Sequence, residues 1–69
     1  MSAVEVRANG KVYAVDDALS VAAFIRERGL DPAYVVVELN GEALPRKEYE
    51  DVTLRDGDRL ELVRAVAGG

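Results

Sequence analysis

Two Asn-Gly dipeptides, Asn9-Gly10 and Asn40-Gly41, constrain this chain more than any other feature in it. Asparagine and glycine both tolerate positive backbone angles, which a two-residue type I′ turn demands, so each dipeptide predicts a tight hairpin where strand-forming residues flank it. Ahead of the first, Val4-Glu5-Val6-Arg7-Ala8 alternates apolar and polar, and Lys11 to Val15 returns as the partner strand. Ahead of the second, Tyr34-Val35-Val36-Val37-Glu38-Leu39 is a β-branched run that predicts a strand with both faces largely covered. A brief Glu42-Ala43-Leu44 segment follows it and Pro45 cuts that segment short.

Between the hairpins the period changes. Asp16-Asp17-Ala18 is a polar break, after which Ser20 predicts the N-cap of a short helix. Leu19 precedes that cap and Phe24 follows it by four, the spacing of a hydrophobic staple. Val21, Phe24, Ile25 and Arg28 share one helical face, so three apolar side chains meet a sheet while the stem of Arg28 flanks them. Gly29 predicts the stop, with Leu30 folding back on Ile25 as in a Schellman motif, and Asp31-Pro32 ends the segment. After the second hairpin, Arg46 to Asp51 is polar and predicts one helical turn anchored by Tyr49. Val52-Thr53-Leu54 then leads into the turn Arg55-Asp56-Gly57-Asp58, and Arg59 to Arg64 alternates with Leu60 and Leu62 on one face. The order is strand, strand, helix, then two or three strands: an α+β module with one helix packed across one mixed sheet.

Size and composition restrict what such a module can do. With 69 residues there is one small domain, and a chain this short buries only about 60% of the surface that it exposes when unfolded. Disulfides and metals often reinforce so thin a core, but the sequence has no cysteine and no histidine. The same absence removes thiolate and imidazole catalysis. Aromatics are 6% against a hydrophobic share of 49%, so the core is expected to be aliphatic. Nine basic residues against thirteen acidic give a net charge of −4, and the basic ones are scattered, which argues against a nucleic-acid partner. No apolar run approaches the roughly 18 residues that span a bilayer, and Met1 to Arg7 lacks the apolar core of a signal peptide; no membrane association and a cytoplasmic location are the expectation.

No catalytic constellation emerges from the interior. The internal glycines are each explained as turn or cap residues rather than a phosphate loop. Ser20 is used as a cap, Thr53 has no base to activate it, and Lys11 and Lys47 lie in polar hairpin or loop settings. The acidic pairs Asp16-Asp17, Glu50-Asp51 and Asp56/Asp58 lack the ligand spacing of a calcium loop and read as solvated turns.

The carboxyl end is different. After the last alternating strand the chain runs Ala65-Val66-Ala67-Gly68-Gly69, with no charge and no large side chain. Glycine occupies an average position about 7% of the time, so a double glycine there is uncommon, although frayed termini are often glycine-rich. With no activated nucleophile found in the interior, the terminal carboxylate is the group that remains for covalent chemistry. Free, it has a pKa of about 3.5 and is inert to nucleophiles. An ATP-using partner that converts it to an acyl adenylate makes its carbonyl attackable, and glycines without Cβ fit a narrow channel. Six residues from Arg64 to Gly69 extend at most about 20 Å, enough to reach into a cleft while the body stays outside.

These residues resemble a known family. The succession of hairpin, helix, hairpin and final strand ending in Gly-Gly is similar to the ubiquitin-like β-grasp sulfur carriers, a mixed sheet with one packed helix (ββαββ) and a flexible C-terminal tail. Val37-Glu38-Leu39-Asn40-Gly41-Glu42, Pro45-Arg46, Tyr49, Leu54 to Val63 and the ending Val66-Ala67-Gly68-Gly69 resemble the ThiS family of thiamin (thiazole) biosynthesis. The specific match covers residues 35 to 69. The resemblance implies a body over residues 1–64 and a tail over 65–69, and a protein that is not an enzyme and binds no cofactor. Its implied partners are an E1-like adenylyltransferase (ThiF-like), a thiazole synthase (ThiG-like) and a cysteine desulfurase or other sulfur donor. It also implies that Gly69 is adenylated with ATP and becomes a thiocarboxylate, that Gly68 permits entry to partner active sites, and that Ala65, Val66 and Ala67 line the route. Leu60, Leu62 and Val63 are the candidates for an apolar partner contact beside the tail, with the alternative that two of the three are core. Arg64 either steers the tail toward an acidic partner or simply marks the strand end. The alternative family is MoaD, the small subunit of molybdopterin synthase, whose usual Phe-Pro-Pro run is replaced here by Leu62-Val63-Arg64-Ala65-Val66; carriers for tRNA thiolation or secondary metabolism share the tail chemistry. Two other classes remain open at this level: a modifier that forms isopeptide bonds, and a passive binding domain.

Overall fold

The computed structural model of the protein describes residues 3–65. Strands β1 (Ala3–Ala8) and β2 (Lys11–Asp16) form the first hairpin, followed by helix α1 (Val21–Glu27), and β3 (Val35–Leu39) and β4 (Glu42–Leu44) form the second; β5 (Arg59–Arg64) closes the fold. One-turn 3-10 segments at Pro32–Tyr34 and Arg46–Glu48 bracket the second hairpin. Three strands thus follow the helix, the larger of the two counts, because Glu42–Leu44 pairs with β3 despite its length. The sheet order is β2-β1-β5-β3-β4, with β1 and β5 parallel and every other neighbouring pair antiparallel.

Local chemistry sets the turns. Asn9 and Gly10 have φ of 50° and 85°, and Asn40 and Gly41 have 53° and 86°, so both dipeptides form the positive-φ turn that fits the twist of the flanking strands. The Asn40 side chain adds a tether to β5, accepting the Arg59 N–H at 2.9 Å and donating to Asp58 Oδ1 at 3.0 Å.

Helix α1 satisfies its first-turn donors from outside. Ser20 Oγ accepts the Ala23 N–H at 3.0 Å as N-cap, while the N–H groups of Val21 and Ala22 donate to the carbonyls of Val52 and Tyr49, both at 2.9 Å. Its far end is a Schellman motif: Leu30 N–H donates to the Ile25 carbonyl at 3.2 Å and Gly29 N–H to the Arg26 carbonyl at 2.9 Å. Arg28 lies at the helix C-cap, and its guanidinium stacks 4.6 Å from the Tyr13 ring centroid. The predicted turn after Pro45 is present, and its anchor Tyr49 is buried with its hydroxyl donating to the Val35 carbonyl at 2.7 Å.

A single core results. Val4, Val6, Ala8 and Val15 from the first hairpin, Val21, Ala22, Phe24 and Ile25 from α1, Val35, Val37 and Leu60 from the sheet, and Tyr49 and Leu54 from the loops form one buried cluster. One helix covers only one face of a sheet, which corrects the expectation for β3. Its burial alternates, with Val35 and Val37 inside and Val36 and Glu38 in solvent. Among the described residues no helix is long and apolar enough to cross a membrane, and no cluster of acidic side chains is arranged to hold a metal ion.

Candidate functional site

β5 is the central strand of the sheet. On one side β5 runs antiparallel to β3 with Val35 opposite Arg64 and Val36 opposite Val63. The register continues one residue past the strand, where the Ala65 N–H donates to the Tyr34 carbonyl at 2.7 Å. The body therefore still holds the backbone of Ala65. The expected sites of activation and entry, Gly69, Gly68, Ala67 and Val66, lie outside the described residues.

The candidates on β5 divide by the pleat. Leu60 is 2% exposed and part of the core, which selects the core alternative for it: positions 60 and 62 turn inward on the pleat while 59, 61 and 63 face out. Leu62 is half-buried and packs against the same core. Val63 points the other way and is 58% exposed. Its direct neighbour across the ladder is Val36, 47% exposed, and the two form an apolar pair on the uncovered face beside the departing chain. Tyr34, 55% exposed, stands next along β3's approach and carries the carbonyl that holds Ala65.

Arg64 is exposed and lines a shallow groove with Leu30, Asp31, Tyr34, Val35 and Ala65, between the loop after α1 and the sheet end. This groove sits where the terminal segment begins. Below the valine pair the open face becomes charged, with Glu38 opposite Glu61 and Arg7 alongside Arg59. Among the described residues none of these four makes an ion pair; the ion pair present joins Arg26 and Glu50. The hydrogen bond that Arg26 donates to the Glu50 carboxylate, and then the charge of that carboxylate, push the guanidinium above its ordinary value, but this pair lies on the helix side of the body.

Val36 and Tyr34 are the body residues that sequence reasoning missed. Three successive valines hide the alternation that would have identified Val36; the signal that was present is that a chain with one short helix has only enough apolar cover for one sheet face.

Among the described residues, a five-stranded mixed sheet crossed by one helix, with the last strand at its centre, defines the ubiquitin-like β-grasp class. The fold alone is matched by the solution structure of a computationally designed protein based on a human erythrocytic ubiquitin template, with a TM-score of 0.54, 21% identity and coverage of 100% of this chain and 98% of that one. Within that class the chain belongs to the ThiS family, whose model matches residues 4–69. The crystal structure of the thiamine biosynthesis protein (ThiS) from Geobacter metallireducens superimposes with a TM-score of 0.79 at 35% identity, covering 96% of this chain and all of that one. A thiazole synthase from Paramagnetospirillum magneticum is 38% identical over 61 residues, which are 88% of this chain and 19% of that protein's length. The chain thus spans about a fifth of that curated relative.

Proposed function

We propose that this protein is a sulfur carrier of thiamin biosynthesis, acting through the carboxylate of Gly69. The observation that carries the reading is that the family match runs through Gly68 and Gly69, and not only through the folded body. In this reading an E1-like, ThiF-like enzyme binds the body and takes the terminal segment into its active site. A carboxylate oxygen of Gly69 attacks the α-phosphorus of ATP, forming an acyl adenylate and releasing pyrophosphate. Hydrosulfide, released from a desulfurase persulfide by a thiol reductant or supplied by another donor, then displaces AMP, leaving a terminal thiocarboxylate. A ThiG-like thiazole synthase accepts that sulfur, and the likeness of this chain to part of a protein named thiazole synthase supports a partner of that kind.

The carrier is a co-substrate in this scheme and not an enzyme. It binds no cofactor of its own, and ATP belongs to the activating partner in the cytoplasm. The exposed Val36–Val63 pair and the groove at Arg64 supply a contact surface next to the departing chain, with the apolar centre and polar rim common to interfaces. Incubation with an E1-like enzyme, ATP and a sulfur source is expected to replace one terminal oxygen by sulfur, read by intact mass spectrometry. An unchanged mass under conditions where the Geobacter metallireducens protein reacts overturns the reading.

A further inference from the structure

The parallel ladder between β1 and β5 is short. Its register pairs Arg7 with Arg59 and Ala8 with Leu60, after which β1 turns away at Asn9 while β5 continues to Arg64. The backbone of Asn9 makes one more contact, its N–H donating to the Leu60 carbonyl at 3.0 Å. Its side chain then does what a further strand residue would do. Asn9 Oδ1 accepts the Leu62 N–H at 2.8 Å, and Asn9 Nδ2 donates to the Leu62 carbonyl at 3.1 Å. A primary amide offers one acceptor and two donors, so one side chain engages both backbone groups of a single residue. The φ of 50° that makes Asn9 suitable for the turn also brings its amide back over the strand that the turn leaves behind.

We propose that Asn9 is a positioning residue for the carrier reaction: its amide clamp on Leu62 fixes the direction in which β5 presents the terminal segment to the activating enzyme. This rests on the sulfur-carrier reading. Among the described residues past Leu62, the strand is held by β3 alone, through the register to Val35 and the Ala65 to Tyr34 bond. A strand end held along one edge swings about that edge; a second hold on the opposite edge removes the freedom. Rates of bond formation depend steeply on such alignment.

The control is built into the fold. Asn40 occupies the same turn position and also tethers β5, but at Arg59, the opposite end of the strand. Asn9→Gly keeps the left-handed turn and removes the clamp, Asn9→Asp keeps the acceptor for Leu62 N–H, and Asn40→Gly removes the distal tether. In ATP-dependent adenylation by an E1-like enzyme, Asn9→Gly is expected to lower kcat about tenfold with little change in KM, since the docking surface is intact while presentation is lost. Asn9→Asp is expected to recover most of that loss, and Asn40→Gly to stay within about twofold of wild type even where its melting temperature falls as far. Equal losses in Asn9→Gly and Asn40→Gly, or an unchanged kcat in Asn9→Gly, overturn the proposal. Residual dipolar couplings of Val63, Arg64 and Ala65 test the clamp without any partner: they are expected to change in Asn9→Gly and not in Asn40→Gly. If wild type is not adenylated, the carrier reading fails on its own; if the couplings are identical in both variants and wild type, the clamp proposal fails whatever the enzyme does.

Discussion

Removing one oxygen atom from Tyr49 tests how this small body holds its sheet together. Strand β4 ends at Leu44, so the Val35 carbonyl at the start of β3 has no strand partner on that edge, and the Tyr49 hydroxyl takes its place at 2.7 Å. Both residues are buried, Tyr49 at 2% exposure and Val35 at 1%. Tyr49→Phe preserves the ring and leaves the carbonyl facing a gap smaller than a water molecule. The loss is then the hydrogen bond together with the desolvation penalty of an unsatisfied buried acceptor, about 2 kcal/mol. A domain of this size has a total stability of roughly 3–10 kcal/mol, so the change is a large fraction of it. The melting temperature is expected to fall by about 8–16 °C. Urea denaturation followed by far-ultraviolet circular dichroism checks it: the midpoint is expected to drop with the slope unchanged, since the same surface is exposed on unfolding. A shift under about 2 °C refutes the premise that the hydroxyl substitutes for a missing strand neighbour.

Ala18 has a φ of 71°, a left-handed conformation that costs a residue bearing Cβ about 1 kcal/mol, so Ala18→Gly is expected to raise stability by roughly 0.5–1 kcal/mol in the same titration. Ser20→Ala, which removes the acceptor for the Ala23 N–H, is expected to cost about 1 kcal/mol. Val63→Glu, on the open face, is expected to leave folding within about 0.5 kcal/mol of wild type while raising the KM for adenylation; an unchanged KM removes the valine pair from the partner surface. Deletion of Gly69, or one residue added after it, is expected to abolish sulfur loading without moving the melting temperature. Retained loading in either variant excludes a requirement for Gly69 as the terminal residue.

Where the sequence was legible, the determinants were local. The Asn-Gly turns, the Ser20 cap and the Gly29-Leu30 stop are set by residues within one turn of each other, and all three are present as expected. The anchor at Tyr49 was legible as a buried aromatic in a polar stretch, but not its hydroxyl bond, which depends on β4 ending early. The faces of β3 were misread because Val35, Val36 and Val37 are chemically identical, and only the position of the single helix separates inside from outside. Leu60 and Leu62 carried the right period, yet which side of β5 faces α1 follows from pairing with β1, some fifty residues away in sequence. The terminal residues were legible as chemistry, whereas the body surface beside them, with Val36 and Tyr34, depends on a sheet face that no local pattern marks.

The strand order has a consequence for synthesis. Residues 59–64 occupy the centre of the sheet although they are the last strand in the chain, with the first hairpin on one side and the second on the other. Until β5 has been made and is free of the ribosome, both hairpins lack the strand that joins them, and neither hairpin alone buries enough apolar surface to persist. The sheet forms only once β5 is available, so a polypeptide that stops short of it lacks the central strand that joins the two hairpins. Folding of the body therefore follows, rather than precedes, synthesis of residues 59–64.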